Sequence, residues 1–383
     1  MYDAIVLGLG GVGSAALLSL ARRGARVLGL DAHPPVHAFG SSHGHTRVFR
    51  HAYFEHPDYV PLLRASTAAF EGWERAAGVD LLHRCGVLLV GRSDSVLVGR
   101  SAEAAAEHGV PVEPLDAARL RGRFPQFTVA EDTIGLFEPG GGFVRVERAV
   151  SAALGLADEA GAERRHGARV VDWRVRNGGV EVVVANGERL RARRLVVAAG
   201  PWTPVVCPML APHLTVTRLV QVWLEPSAVG SAHARRFPCW LVDRPGRRAI
   251  YGIPVDPERP GCRHTKVAVH HSDTVVAADT VDRSIHRADT KVIQDAVNEN
   301  VPGIFGPVAA AAVCMYTNTA DEDFIVDHLP GLPQVVVATG LSGHGFKLAP
   351  ALGDALTDLA LDGGTALPIG FLRLARLLGP SQQ

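Results

Sequence analysis

A glycine-rich turn at residues 8–13 is the feature that most constrains how this chain can fold. The turn follows a short apolar run, residues 4–7, and precedes a helical pattern at residues 14–23, so its G-x-G-x-x-G spacing has the strand–turn–helix context of a dinucleotide-binding unit. The glycines permit a tight turn and a close approach of backbone to a pyrophosphate, and the helix N-terminus directs free N–H groups at the phosphates. A second strand, residues 27–30, ends at Asp31, whose carboxylate can accept a hydrogen bond from a ribose hydroxyl. The predicted dinucleotide contacts here are Gly8, Gly10, Gly11, Val12, Gly13 and Asp31.

The turn leaves open which dinucleotide binds. NADP is disfavoured, because the carboxylate of Asp31 would repel its 2′-phosphate. NAD and FAD both lack that phosphate, so the motif does not separate them. A nicotinamide dehydrogenase and a catalytically silent dinucleotide-binding protein are both compatible with this motif.

The remainder of the chain alternates between helical and β-rich patterns. Apolar residues recur at helical spacing across residues 60–73, whereas residues 169–200 have period two with Asn-Gly turn signals, which predicts an antiparallel meander. Near the C-terminus an apolar strand at residues 335–338 is followed by a glycine-rich segment, residues 340–345, and then by a helix. Because dinucleotide-type pieces occur at both ends, we predict an α/β fold (α+β overall) in which a discontinuous Rossmann-like domain carries an inserted β-rich domain.

Composition argues against several kinds of partner. The 39 Lys and Arg residues balance the 39 Asp and Glu residues, so nothing favours nucleic acid or an anionic membrane. No uninterrupted apolar run reaches about 18 residues, and no signal-peptide pattern precedes the first strand, so we expect a cytoplasmic protein without a membrane span. The five cysteines never occur as CxxC and the histidines lack metal-ligand spacing, so neither a disulfide framework nor a metal site is predicted.

Three further stretches resemble the monomeric sarcosine oxidase and N-methyltryptophan oxidase family of flavoproteins. The first reads GSSHGHTRVFRHAY at residues 40–53 and continues with YVPL at residues 59–62. The second reads AVCMYT at residues 312–317 and is followed by DEDFIVD at residues 321–327, and the third reads GLSGHGFK at residues 340–347. They follow the order of the family, and together with the N-terminal turn they extend over nearly the whole chain.

The resemblance implies a two-domain flavoprotein of the glycine and D-amino-acid oxidase architecture. FAD would be bound by segments near residues 1–83, 146–213 and 314–383. The β-rich substrate domain would consist of segments near residues 84–145 and 214–313. The active site is expected where the two domains meet.

The same resemblance implies FAD attached covalently, through the 8α carbon of the flavin, to the thiol of Cys314. A thiolate is a suitable nucleophile for such a bond. Lys347 would lie near the flavin pyrimidine, where a cation stabilises the negative charge of reduced flavin. The further FAD contacts that the resemblance implies are Ser41, His43, Thr46, Arg47, Val170, Ala199, Gly200, Trp202, Met315, Leu341, Gly343, His344, Gly345 and Lys347.

The substrate residues also come from the resemblance. Arg50 and Lys347 would bind the substrate carboxylate, which suits a guanidinium fork paired with an ammonium. The other residues with an implied catalytic or substrate-binding role are Lys266 (oxygen activation), His270 (amine side of the substrate), Arg47 (flavin face), Tyr251 and Tyr316 (pocket walls) and Leu241 (apolar wall). Alternation along residues 265–271 would place Lys266 and His270 on one strand face.

The predicted activity is an FAD-dependent oxidation of small secondary amino acids such as sarcosine, giving an imine that hydrolyses, with O2 reduced to H2O2 by a monomeric enzyme. Cyclic imino acids, N-methyltryptophan-like substrates, D-amino acids and a non-oxygen electron acceptor remain as alternatives. The chain departs from the family at His45, where family members usually carry an acid, and it matches only patchily at residues 260–264. The choice of amine is therefore left open.

Overall fold

A computed structural model describes residues 1–226, 232–259, 261, 263–302 and 305–378. The strands in these ranges are β1 (Tyr2–Leu7), β2 (Val27–Leu30), β3 (Thr46–Phe49), β4 (Leu82–His83), β5 (Val87–Arg92), β6 (Glu113–Leu115), β7 (Thr133–Glu138), β8 (Gly142–Arg145), β9 (Glu163–Arg165), β10 (Val170–Arg176), β11 (Gly179–Val184), β12 (Arg189–Val197), β13 (Thr215–Pro226), β14 (Cys239–Arg244), β15 (Arg247–Ile253), β16 (Thr265–Val269), β17 (Phe305–Asn318), β18 (Ile325–Leu329) and β19 (Leu332–Thr339). The α-helices are α1 (Gly11–Arg22), α2 (Tyr59–Ala77), α3 (Val96–His108), α4 (Ala117–Arg123), α5 (Val146–Glu159), α6 (Thr203–Val206), α7 (Arg287–Asn300) and α8 (Ala349–Asp362).

The first large sheet is built around parallel strands in the order β9-β2-β1-β12-β19. The first part of β12 pairs with the antiparallel hairpin β10–β11, and its last part pairs with β19 on the same side. Strand β18 then extends the sheet antiparallel to β19. Segments from both ends of the sequence thus become neighbours, which confirms the predicted mixed fold with a Rossmann-like unit.

Both faces of this sheet are buried. Ala4 and Val6 belong to the apolar core that contains helices α1, α2, α5 and α8, whereas Ile5 and Leu7 belong to a second core with β11 and the segment after β12. Successive side chains of a strand point to opposite faces, so a run such as AIVL supplies both cores at once. The predicted long helix is α2, and its apolar face is buried as expected.

The second large sheet has the strand order β17-β13-β16-β15-β14-β5-β7-β6, and it is antiparallel except where β14 runs parallel to β5. Val267, Ile250 and Val242 point to a core that includes residues of α4 and α7. Residues that alternate with them, such as Tyr251, Ala268 and Leu241, point to the opposite face. Pro260 and Cys262, which belong to the patchily matching segment, lie outside the described residues.

A small three-stranded sheet has the strand order β3-β8-β4. It carries the first of the family-like stretches, because β3 contains Arg47 and is followed directly by Arg50. Its strand β8 leads without a break into α5. Within the described residues, none of the helices has the length and apolar character needed to cross a lipid bilayer.

Candidate active site

The turn between β1 and α1 forms one wall of a long cleft. Gly8 has a left-handed backbone with a φ of +89°, and a Cβ atom at Gly13 would lie 1.7 Å from the carbonyl oxygen of Gly8, so both positions require glycine. The N–H of Gly11, in the first turn of α1, donates a 3.0 Å hydrogen bond to Ser42 Oγ. The turn is therefore closed tightly against its own strand, and the first residues of α1 line the cleft.

Asp31 follows β2 and points its carboxylate into the same cleft. Its Oδ2 accepts the N–H of Leu9 at 2.8 Å, and its Oδ1 accepts the N–H of His33 at 2.8 Å. Burial raises the pKa of Asp31, but His37 and these two N–H groups outweigh burial and leave the pKa below its ordinary value. The carboxylate is thus ionised, fixed in position and able to accept a ribose hydroxyl.

The cleft has a volume of about 1570 Å³, including its open mouth. Most of the predicted cofactor contacts line it, namely Gly8, Gly10, Gly11, Val12, Asp31, Ser41, Arg47, Val170, Ala199, Gly200, Trp202, Met315, Leu341, Gly343 and Gly345. Gly13 packs beneath the turn, while His43, Thr46 and Cys314 are buried behind the lining. The last two predicted contacts, His344 and Lys347, line a neighbouring smaller cavity instead.

The cleft fits a bound dinucleotide. Thr317 and Thr339 line it with buried hydroxyl groups that have no hydrogen-bond partner among the described residues. Buried polar atoms are nearly always hydrogen-bonded in folded proteins, so these groups indicate a ligand with polar atoms of its own. Together with the glycine turn and the carboxylate of Asp31, they match the phosphate and ribose groups of a dinucleotide.

The smaller cavity has a volume of about 510 Å³ and shares part of its lining with the cleft. The residues common to both are Arg47, Tyr316, Gly343 and Phe346. The remaining lining residues are Val48, Arg50, Glu55, Leu241, Tyr251, His270, His344 and Lys347. The structure therefore brings the predicted catalytic and substrate-binding residues to one space beside the cleft, with the exception of Lys266, which is not part of its lining.

Arg50 forms a buried ion pair in this cavity. Its side chain is 3% exposed, its Nη2 donates to both carboxylate oxygens of Glu55 at 2.7 Å, and its Nη1 donates to the carbonyl of Ala52 at 2.6 Å. Burial raises the pKa of Glu55, but Arg50, followed by His344 and Lys347, outweighs burial and keeps that pKa below its usual value. Glu55 is thus a carboxylate that already binds one nitrogen of the guanidinium, Nη2.

Lys347 lies in a short 3-10 turn that leads into α8, and only 6% of it is exposed. Its Nζ donates to the carbonyl of His344 at 2.7 Å and to the hydroxyl of Tyr53 at 3.1 Å. Burial, and then the nearby charge of Arg50, lowers the pKa of Lys347 to about 7. The ammonium is therefore poised near neutrality, where an anion in the cavity would favour its protonated form.

Arg47, which lines both the cleft and the cavity, and Lys266, which lines neither, share the backbone carbonyl of Thr46 as a hydrogen-bond acceptor. The Nζ of Lys266, which is 2% exposed, donates to the carbonyls of Thr46 at 2.7 Å and Gly44 at 3.1 Å. Burial, and then the charge of Arg47, holds the pKa of Lys266 well below its ordinary value. Arg47 in turn donates to the carbonyls of Thr46 at 2.9 Å and Ser41 at 2.8 Å.

Cys314 lies near the end of the long strand β17 and is 1% exposed. Its Sγ lies 3.8 Å from Nη2 of Arg47 and 3.9 Å from the carbonyl oxygen of Ser41. The hydroxyl of Ser41 donates to the carbonyl of Met315, the next residue, at 2.6 Å. The first and second family-like stretches therefore meet here, although about 270 residues separate them in sequence.

Sequence reasoning missed several residues of the site. Glu55 lies just beyond the first family-like stretch, and its position a few residues after Arg47 and Arg50 could have predicted an ion pair. No sequence pattern marks Glu147. Its Oε1 accepts hydrogen bonds from the N–H groups of Gly44 at 2.7 Å and His45 at 3.1 Å, and so fixes the loop whose carbonyls accept Lys266. No sequence pattern marks Gln221 either, and its Oε1 lies 3.4 Å from Nη1 of Arg47.

The fold and the site define a dinucleotide-dependent protein with a positively charged pocket beside the dinucleotide cleft. A family model described as FAD dependent oxidoreductase matches residues 3–359. Monomeric sarcosine oxidase from Streptomyces avermitilis is 40% identical over 98% of both chains, and N-methyl-L-tryptophan oxidase from Salmonella arizonae is 36% identical over 98% of this chain and 99% of its own. The chain belongs to this family of FAD-dependent oxidoreductases.

Solved structures show the same fold. NikD, described as an unusual amino acid oxidase essential for nikkomycin biosynthesis, superposes with a TM-score of 0.84 at 24% identity over 97% of both chains. Glycine oxidase from Geobacillus kaustophilus superposes with a TM-score of 0.80 at 20% identity over 99% of both chains. The predicted family, fold class, FAD dependence and oxidoreductase activity are confirmed by these comparisons.

The position of Lys347 predicts pH-dependent binding of simple carboxylates to the FAD-loaded protein. Acetate carries no amine, so its affinity reports the cavity alone. Because Lys347 is protonated below its pKa of about 7, the dissociation constant should be constant at lower pH. It should rise by up to about tenfold per pH unit above that value.

The measurement is a flavin-absorbance titration with acetate across neutral pH. Lys347→Met should weaken binding and abolish this pH dependence, whereas Lys291→Met, on the exposed surface of α7, should leave both unchanged. A wild-type profile that is flat through neutral pH would contradict the assignment of Lys347 to anion binding.

Proposed function

We propose that the protein is an oxidase of small secondary amino acids, with sarcosine and other N-methyl amino acids as its substrates and O2 as its electron acceptor. The observation that carries the proposal is the cavity in which Arg50, Lys347 and His270 lie beside the FAD cleft. Similarity to monomeric sarcosine oxidase over 98% of the chain supports the choice of substrate.

The cations of the cavity would select and orient the substrate. Arg50 and Lys347 would bind its carboxylate, which requires the carboxylate to compete with Glu55 for the guanidinium. The same positive charges disfavour a protonated amine, so the substrate nitrogen would be neutral without a strong base from the protein. His270, which lines the cavity and has its pKa held well below the ordinary value by burial and by His271, would face the amine as a neutral imidazole.

Bound FAD supplies an acceptor for the two electrons that leave the amine. The amine loses two hydrogens and becomes an imine, which hydrolyses in water, and with sarcosine this gives glycine and formaldehyde. Tyr251, Tyr316 and Leu241 form walls of the cavity.

Lys266 is proposed as the residue that assists electron transfer to O2. Its buried Nζ lies among the backbone carbonyls of Gly44 and Thr46, next to Arg47 at the cleft. Negative charge on reduced oxygen would favour the protonated form of Lys266 and be stabilised by it. Its side chain shares a sheet face with Ala268 on β16, whereas His270 follows the end of that strand.

We also propose the finer organisation that the family resemblance implies. The first large sheet and its helices lie within segments 1–83, 146–213 and 314–383, and the second large sheet falls in segments 84–145 and 214–313 apart from the end of β17. This supports the predicted division into FAD and substrate domains. We further propose that the enzyme is a monomer and that it acts in the cytoplasm.

A panel of amines tests the proposed reaction. Sarcosine should bleach the flavin without oxygen and should generate H2O2 in air, with a higher kcat/KM than proline, pipecolate, N-methyltryptophan or D-alanine. The measurements are anaerobic absorbance and a peroxidase-coupled assay. Bleaching without formation of peroxide would show that the electron acceptor is not O2. Preferential bleaching by one of the other amines would show that this amine, and not sarcosine, is the preferred substrate.

Replacing Lys266 should separate the two half-reactions. Lys266→Met keeps the volume of the side chain but removes its charge, so reoxidation of reduced flavin by O2 should slow by on the order of 10²-fold, as for loss of one electrostatic donor. Flavin reduction by substrate should change far less. Stopped-flow kinetics measures both steps, and Lys291→Met is the matched control. Equal effects of Lys266→Met on both steps would show that Lys266 has no specific role in the reaction with O2.

Covalent attachment of FAD to Cys314 is the remaining proposal about the cofactor. The contact of 3.8 Å between Sγ of Cys314 and Nη2 of Arg47 supports the attachment, because Arg47 lines the cofactor cleft and the sulfur therefore lies next to that cleft. Acid precipitation of the purified protein should give a yellow pellet, and Cys314→Ser should turn it white. Cys207→Ser, at a buried cysteine outside both cavities, should leave the pellet yellow. Release of all flavin from the wild-type protein would overturn the attachment.

A further inference from the structure

Two cysteines that are distant in sequence contact each other at the start of neighbouring strands. Cys85 precedes β5, and Cys239 is the first residue of β14, which runs parallel to β5 with Cys239 opposite Val87. The N–H of Cys239 donates a 3.0 Å hydrogen bond to the carbonyl of Gly86, the residue after Cys85. The two Sγ atoms lie 3.9 Å apart, and the paired strands hold them in contact.

The two thiols differ in their surroundings. Cys239 is fully buried, and burial, followed by the contact with Cys85, raises the pKa of its thiol well above the ordinary value. Cys85 is only half-buried, so it is the more exposed of the two residues. Of the four cysteines that the structure describes, these are the two whose sulfur atoms touch. One more exposed cysteine in contact with one shielded cysteine is the arrangement of an attacking and a resolving cysteine.

We propose that Cys85 and Cys239 are an oxidisable dithiol, which hydrogen peroxide converts to an intramolecular disulfide. The thiolate of Cys85 attacks one peroxide oxygen, the O–O bond breaks, and the departing hydroxide takes up a proton to become water. The resulting sulfenic acid is attacked by the sulfur of Cys239, which loses its proton, and a second water leaves as the S–S bond forms. Two thiols and one H2O2 thus give one disulfide and two waters, with two electrons passing from sulfur to oxygen.

The geometry requires a small movement. A disulfide needs the sulfurs at about 2 Å, so side-chain rotation at the half-buried Cys85 has to close the present gap. Cys239 shares an apolar cluster with Leu241, two residues further along β14, and Leu241 lines the substrate cavity. The bond would therefore link β5 to the strand that forms one wall of that cavity.

Added peroxide tests the proposal independently of any oxidase activity of the protein itself. The FAD-loaded protein is treated with H2O2, quenched, unfolded in a thiol-alkylating reagent and mapped by mass spectrometry without reduction. The expected result is loss of two alkylatable thiols and a cross-linked peptide pair containing Cys85 and Cys239, both reversed by dithiothreitol. Recovery of both cysteines as free thiols, or of Cys85 as sulfinic or sulfonic acid without a cross-link, would overturn it.

Two variants sharpen the result. Cys239→Ser removes the resolving thiol, so Cys85 should persist as a sulfenic acid that dimedone labels. Cys207→Ser alters a buried cysteine that has no sulfur in contact among the described residues, and it should form the cross-link as the wild type does. Absence of dimedone labelling in the first variant would show that Cys85 is not the thiol that peroxide attacks.

Discussion

The site depends on the solvation of buried cations by the protein backbone. Arg50, Lys266 and Lys347 are all buried, and a charge removed from water costs several kcal/mol unless other groups replace its hydration. Backbone carbonyls replace that hydration, since those of Gly44 and Thr46 accept Lys266, and others accept Arg50 and Lys347. The path of the loop around β3 is therefore fixed by the charges it has to surround.

The charge balance of the cavity follows from the same arrangement. Glu55 is the one acidic side chain among the described residues that line the cavity, and it is shared with Arg50, His344 and Lys347. The excess of positive charge favours a carboxylate ligand and a neutral amine. Burial and the positive charge of Arg50 lower the pKa of Lys347, so Glu55 alone does not compensate for the charge of the ammonium. An anionic ligand in the cavity would favour the protonated form of Lys347.

Sequence patterns predicted the local elements well because their causes are local. The turn at residues 8–13, the meander of β10, β11 and β12, and helix α2 are encoded by glycine spacing, period two and apolar spacing near 3.6. Glu147 and Gln221 could not be found in this way. Each acts through atoms that are distant in sequence, Glu147 on the N–H of Gly44 and Gln221 on Arg47.

By itself the sequence determined the dinucleotide-binding turn, the alternation of helices and strands and, through three family-like stretches, the family and its FAD cofactor. Tertiary structure alone decided which side chains share a cavity, that Glu55 binds Nη2 of Arg50, and that Cys85 touches Cys239. The physical reason is that backbone propensity and apolar periodicity act between residues close in sequence. Burial, ion pairing and sulfur contact are set by distances in space, which exist only after the two large sheets have formed.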